Sequence, residues 1–249
     1  MEPKLSSSKL RRVGILGGMG PQATVLLQQR LIDIVDAADD AQHIPLLIDM
    51  NSQISSRLDY VLSGRGEDPG RVLGQMARRL EVAGAEALAM PCNTAHYFVD
   101  QVTASVQIPF LNMIDLVGEA ISLQCSIGGK VGVLASPAAE KIGVFDKAFR
   151  PYGLRAIYPD NRASMVDAIR AVKSVGPSSS HARAALANAA TECVRKGARH
   201  LLIGCTEFST IADAADGFVP VVDALQVLVE RICDFSGASR KPVSGAAGR

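Results

Sequence analysis

AGAEALAMPCN, residues 83–93, lies over KGARHLLIGCT, residues 196–206, without a gap, and this internal match decides the fold. In each segment a glycine (Gly84, Gly197) precedes an apolar run of strand length that ends on a cysteine, and Cys92 and Cys205 both stand eight residues after their glycine. Each segment is followed by another short strand at a proline, IPFLNMI from Ile108 and VPVVDA from Val219. Upstream, VGILGG (13–18) resembles VGVLAS (131–136), which restarts the pattern just after Gly128 and Gly129. A repeat of roughly 100 residues is a duplicated domain, since solenoids repeat on a much shorter period.

The rest of the chain fits that reading. VGILGG is followed by a helical stretch at 21–37, PLLIDM at 45–50, a second helical stretch at 69–83 and ALAMPC at 87–92. This βαβαβ order marks a parallel sheet covered by helices. After the restart come a helix, the strand RAIYP, a pair of helices and HLLIGC at 200–205. The expected fold is α/β, with two pseudosymmetric parallel-sheet domains and the active site in the cleft between them. The first domain is expected to span 13–117 and to take back 223–236, where ALQVLVERICDF has the apolar spacing of an amphipathic helix and Cys233 reads as core. The second spans 118–222. Residues 1–12 and the Gly/Ser/Ala-rich stretch 237–249 are expected to be disordered. Ligands of parallel α/β sheets sit at the carboxyl ends of the strands, the position that Cys92 and Cys205 share.

Composition narrows the partners. In 249 residues, 26 Lys and Arg nearly cancel 25 Asp and Glu, so the net charge of +1 gives no field for gripping nucleic acid or an anionic membrane. The absence of Trp and the low aromatic content leave few stacking platforms for single strands. MEPKLSSSKLRR lacks an apolar signal region, and no apolar run approaches the roughly 20 residues of a membrane span, so a cytoplasmic location is expected. Five cysteines, at 92, 125, 193, 205 and 233, include no C-x-x-C pair, which argues against disulfides and structural zinc.

Three motifs could carry chemistry. In GGMGPQA, Gly18, Gly20 and Ala23 satisfy a dinucleotide fingerprint, but Pro21 removes an N–H that would face a pyrophosphate. The turn at Met19 and Gly20 suits a small carboxylate, while a ligand-free βα turn explains the glycines equally well. PCNTAH sets Cys92 beside Asn93 and Thr94 at a helix start, which could hold a carboxylate and lower the thiol pKa from about 8.5. The alternative is a buried cysteine followed by capping residues. GCTEFS repeats the arrangement with Cys205, Thr206 and Glu207. Paired sites facing across a cleft put one acid/base group on each side of a planar intermediate, which inversion of a tetrahedral carbon requires. His96, four residues after Cys92, either tunes that thiol or is a core residue.

GGMGP, PCNTAH, IPFLNMI and GCTEF, in this order, resemble the aspartate/glutamate racemase family, and its aspartate racemase branch more than glutamate racemases, which typically carry His where this chain has Glu207. The resemblance runs from about Val13 to Ala224. It implies an isomerase of D-amino-acid metabolism that uses Cys92 and Cys205 without pyridoxal phosphate, other cofactor or metal, works on a dicarboxylic amino acid, and forms a homodimer. It further implies that Asn51 contacts substrate, that Arg57 holds the side-chain carboxylate, that Ser136 lies near the α-carboxylate and that Lys173 assists Arg57. A solvated surface charge is the alternative for both cations. SPAAEKIG at 136–143 and the absence of Pro-Asp before Arg57 depart from the family pattern and leave the choice of amino acid open. Rival readings are a hydantoin racemase, maleate isomerase or arylmalonate decarboxylase on the same frame, or a small-ligand binding module.

Overall fold

The computed structural model describes residues 9–242. The strands are β1 Val13–Gly17, β2 Leu46–Met50, β3 Ala87–Ala89, β4 Phe110–Leu111, β5 Lys130–Leu134, β6 Arg155–Ile157, β7 His200–Ile203 and β8 Val221–Asp223. The helices are α1 Pro21–Ile34, α2 Arg57–Ser63, α3 Pro69–Val82, α4 Val99–Thr103, α5 Met113–Ser122, α6 Pro137–Ile142, α7 Val144–Phe149, α8 Arg162–Val175, α9 Ser180–Arg195 and α10 Ala224–Ser236. Among the described residues no helix is long and apolar enough to cross a membrane.

The strands form two sheets of identical topology, β2-β1-β3-β4 and β6-β5-β7-β8, and every pairing is parallel. The α/β fold with two parallel sheets is therefore as the alternation of apolar runs predicts. β1 is buried along its whole length, because it is paired on both edges and covered on both faces, which explains its unbroken apolar run.

The duplication reaches the packing of single atoms. A Cβ on Gly14 would lie 2.8 Å from Leu88 and 2.9 Å from Ala85, and one on Gly132 would lie 2.7 Å from Leu201 and 3.3 Å from Ala198. Leu88 and Leu201, like Ala85 and Ala198, are equivalent positions of the internal match. Both halves thus need a bare backbone where side chains of the neighbouring strand, and of the segment leading into it, press on the central strand.

Each half has its own core, built around Leu73, Met76 and Leu88 in the first and around Leu186, Leu201 and Phe208 in the second. A third core joins them: Val13 and Ile15 of β1, Val131 and Val133 of β5, Met113 and Val117 of α5, and Leu228 and Ile232 of α10 belong to one buried cluster. α10 packs against α1 and α5 beside the first sheet. Burial of this kind contributes about 1.5–3 kcal/mol per large apolar side chain.

The expected disorder at the ends fails where the structure describes them. Arg11 N–H donates to Ser236 O (3.0 Å), Arg12 N–H to Glu86 Oε2 (2.8 Å), and the Arg11 guanidinium lies 4.0 Å from the Phe235 ring centroid. Past α10, Asp36 N–H donates to Ser239 O and Lys241 N–H to Ile34 O, each at 2.8 Å. The tail thereby satisfies backbone groups left open at the end of α1. Composition predicts disorder for such a segment because its partners are 200 residues away in sequence, and the remainder of the disorder expectation, at 1–8 and 243–249, lies outside the described residues.

Candidate active site

Cys92 and Cys205 follow β3 and β7, the equivalent strands of the two sheets, and emerge at their carboxyl ends. Each strand leads into a 3-10 helix, Thr94–Phe98 in the first half and Phe208–Ala215 in the second. Both cysteines are buried, at 7% and 8% exposure, yet they line one shared cavity of about 50 Å³. The same cavity is lined by Met19, Arg57, Thr94, Ser136, Lys173 and Glu207 from the sequence-derived set, and by Ser56, Leu58 and Ile169 besides. Ile169 was legible in principle, being one helical turn before Lys173 on α8.

The first loop owes its shape to Gly18, whose φ of +92° favours glycine and whose Cβ would lie 2.3 Å from Asn51 O. Thr24 Oγ1 accepts from Gly18 N–H at 3.0 Å and donates to Gly20 O at 3.3 Å, which brings Met19 to the cavity wall. Gly20 sits just outside; a Cβ there would be 3.6 Å from Glu207 Oε1. Thr94 and Ser136 join the two halves through a 3.0 Å hydroxyl–hydroxyl hydrogen bond, and Ser136 also caps α6 by accepting from Ala139 N–H.

Two polar groups wait for a partner. Asn93 is 3% exposed and neither atom of its amide is hydrogen-bonded, and the Arg57 Nε–H is buried and unpaired. Arg57 Nη1 donates to the carbonyls of Ile54 and Ser55 at 3.1 and 3.0 Å, which fixes the guanidinium at the start of α2. A buried amide or guanidinium N–H left unmade costs about 1–3 kcal/mol, a cost that a bound carboxylate would offset.

Gly20 apart, three expected contacts are not made, Asn93 among them, since its buried amide is absent from the cavity wall. Asn51 does not line the cavity: its Oδ1 accepts from Gln53 N–H (3.0 Å) in a turn of its own loop and its amide nitrogen points at Met76 Sδ (3.9 Å). Thr206 is buried beside Cys205 but is likewise absent from the cavity wall.

The electrostatics of the two thiols differ. Burial pushes both pKa values up. At Cys92 the nearby Arg57 guanidinium and the Ala95 N–H work against that rise. At Cys205 the Glu207 carboxylate adds to it: Cys205 Sγ donates to Glu207 Oε2 at 3.1 Å, and the thiol is held well above its ordinary value. The other carboxylate oxygen pairs with Lys173 Nζ at 3.3 Å. The expected lowering of the Cys92 pKa by the following helix is thus present in direction and outweighed by desolvation.

His96 is a positioning residue. Its Nε2 accepts from Met113 N–H (3.2 Å), so the proton is on Nδ1, which donates to Cys92 O (2.9 Å). Burial holds this imidazole neutral, with a pKa lowered to about 4. It fixes the backbone of Cys92 and does not touch the thiol.

A family model described as Asp/Glu/Hydantoin racemase matches residues 16–232. The chain belongs to the Asp/Glu/hydantoin racemase family. Among racemases of this family, the Broad specificity amino-acid racemase RacX of Bacillus subtilis (strain 168) is 23% identical over 223 residues, covering 88% of this chain and 95% of that protein. The aspartate racemase of Picrophilus torridus superposes with a TM-score of 0.82 at 26% identity, over 93% of this chain and 96% of the other. A glutamate racemase from Francisella tularensis subsp. tularensis SCHU S4 shares the racemase fold at a TM-score of 0.64 and 17% identity, over 91% of this chain and 81% of that one.

Proposed function

We propose that this racemase interconverts L- and D-aspartate, with glutamate as the alternative dicarboxylic substrate, by two-base chemistry at Cys92 and Cys205 and without a cofactor. The observation that carries the reading is the shared cavity: two thiols from equivalent strand ends of two symmetric halves face one space, beside two cations.

A thiolate on one face takes the α-proton, the α-carbon flattens, and the thiol on the other face returns a proton. Cys205, donating to Glu207, is the group held as thiol. Cys92, close to Arg57, is the one more readily ionised and the natural base for the first half-turn. After a turnover the protonation states are exchanged, so the opposite enantiomer is handled by the same pair run backwards. Arrival of the substrate ammonium adds a positive charge between the thiols and brings the pKa of the base down when it is needed. Desolvation, which raises both thiols, makes the thiolate a stronger base once formed.

The asymmetric donors suit the two ends of a dicarboxylic amino acid. The Thr94 and Ser136 hydroxyls in the cavity wall suit the α-carboxylate, and Arg57 with Lys173 suits the side-chain carboxylate. The P. torridus relative is named an aspartate racemase, which agrees with this choice. Decarboxylation needs a proton donor on one face only, and the second thiol would have no task. The test is a chiral assay of dialysed enzyme on aspartate, glutamate and a panel of other amino acids. Loss of optical purity for aspartate or glutamate is the expected result; inert behaviour of every amino acid, with tight binding by calorimetry, would make the protein a binding module instead.

A further inference from the structure

Four residues after each cysteine of the cavity stands a side chain that ties the cysteine's turn to the start of a helix. In the first half this is His96, whose ring bridges Cys92 O and the Met113 N–H at the head of α5. The equivalent position in the second half is Ser209, which is buried. Its N–H donates to Cys205 O at 3.2 Å and its hydroxyl to Asp223 Oδ1 at 2.7 Å. Asp223 is in turn the counterpart of Asn112. The two come directly after matched residues of β8 and β4, Val222 and Leu111, and each side chain caps a helix, accepting from Leu225 N–H of α10 and Ile114 N–H of α5.

The second of these struts has a third member, and it comes from the other half. Arg30 of α1 spreads its guanidinium over both ends: Nη1 donates to Asp223 Oδ2 at 2.7 Å and Nη2 to Ser209 O at 3.0 Å. The Arg30 and Asp223 side chains are only 20% and 12% exposed. An ion pair largely out of water contributes little net stability, because desolvation offsets the attraction, but the planar fork of arginine fixes the relative position of the groups it holds. The turn after Cys205 needs such a hold. The 3-10 helix that follows, Phe208–Ala215, departs from helical backbone at Ile211, and 3-10 turns have poor hydrogen-bond geometry of their own. The same turn carries Glu207, whose carboxylate accepts from the Cys205 thiol.

On the two-thiol reading above, we infer that Arg30 is a positioning residue for Cys205: from the first half it holds the Cys205–Ser209 turn of the second half, through Asp223 and the Ser209 carbonyl. Proton transfer at the α-carbon depends on placement, and a displacement of about 1 Å can cost on the order of a hundredfold in rate. Arg30 does not line the catalytic cavity. Its loss therefore falls on the chemical step at one thiol and leaves substrate binding in place.

The test uses the full chain and two variants. Arg30→Lys keeps the charge but offers one nitrogen where the fork offers two. Ser209→Ala removes the hydroxyl link to Asp223 and stands in if the first variant misfolds by circular dichroism. Two readouts are taken from each: kcat and KM for the amino acid that the wild type racemises fastest, and the alkylation rates of Cys205 and Cys92 at neutral pH, resolved peptide by peptide by mass spectrometry. The expected result is a fall in kcat of at least about tenfold with KM within about twofold. Cys205 should alkylate at least about threefold faster, because a displaced turn loosens its bond to Glu207 and frees the thiolate, while Cys92 in the same molecules stays within about twofold. Unchanged kcat, or a loss carried by KM, overturns the inference. So does equal acceleration of both thiols, which would mean a general loosening, or acceleration of neither. If the wild type racemises no amino acid, the two-thiol reading itself has failed, and the alkylation rate of Cys205 alone decides whether Arg30 holds the turn.

Discussion

Acid should strip stability from this protein through one histidine. His96 is neutral in the fold with a pKa of about 4, whereas an unfolded histidine titrates near 6.5. A depressed folded pKa contributes stability that is complete above pH 6.5 and is lost as pH falls through 4. The full difference, about 2.5 units at about 1.4 kcal/mol each, is roughly 3 kcal/mol, of which about 2 kcal/mol is gone by pH 5. The structural cause is explicit, since a protonated ring would turn a second N–H on the Met113 N–H that Nε2 now accepts from, and would do so in a dry site. Urea unfolding at pH 7.5 and at pH 5 measures the loss, with His96→Gln as the non-titrating reference. Asp115, an exposed residue whose carboxyl is raised by partial desolvation, acts in the opposite direction and is present in both proteins, so the comparison cancels it. An NMR titration of the His96 ring supplies the independent check. An equal pH slope in the variant, or a His96 that titrates near 6.5, would refute the reasoning.

The other predictions follow from the cavity. Cys92→Ala and Cys205→Ala should each abolish racemisation while the chain still folds, since each substitution removes only one sulfur atom; near-normal turnover in either variant would remove that residue from the mechanism. Glu207→Gln should shift the ionisation of Cys205 to lower pH, because it removes the carboxylate that raises it, and the pH dependence of alkylation of Cys205 in a Cys92→Ala background would report this. Arg57→Ala should cost about 2 kcal/mol of transition-state binding, or roughly 30-fold in kcat/KM for aspartate, with unchanged kinetics contradicting its role. Gly18→Ala should destabilise by more than about 2 kcal/mol, since it forces both the +92° backbone and a 2.3 Å contact with Asn51 O; thermal melting would show it.

Much of the fold was legible because the two halves bury the same kind of strand. VGIL and VGVL are central in their sheets, and the segments ending at Cys92 and Cys205 are their neighbours, so one internal alignment supplies both the topology and the meeting of the thiols. The loop side chains were less legible. Asn51 and Arg57 lie six residues apart in one connection, yet Arg57 reaches the cavity while Asn51 turns back on Gln53, a choice made by local turn geometry that no periodicity records. The contribution of Glu207 was visible only as a residue type; its bond to Cys205 is set by the local turn after β7, and its pairing with Lys173 depends on α8 from elsewhere in the second half. The ordered segments at 9–12 and 237–242 escaped for the same reason, their partners being remote in sequence.

Two thiols on opposite faces have a distinctive isotopic consequence. When L-aspartate is converted in deuterated water and the reaction is sampled in its first few per cent, one thiol keeps the abstracted proton while the other delivers deuterium. D-aspartate formed in that window should carry deuterium at the α-carbon, and the L-aspartate still present should carry none. D-aspartate that retains the original proton, or L-aspartate that gains deuterium as fast as product forms, would mean a single base on one face and would contradict the paired action of Cys92 and Cys205.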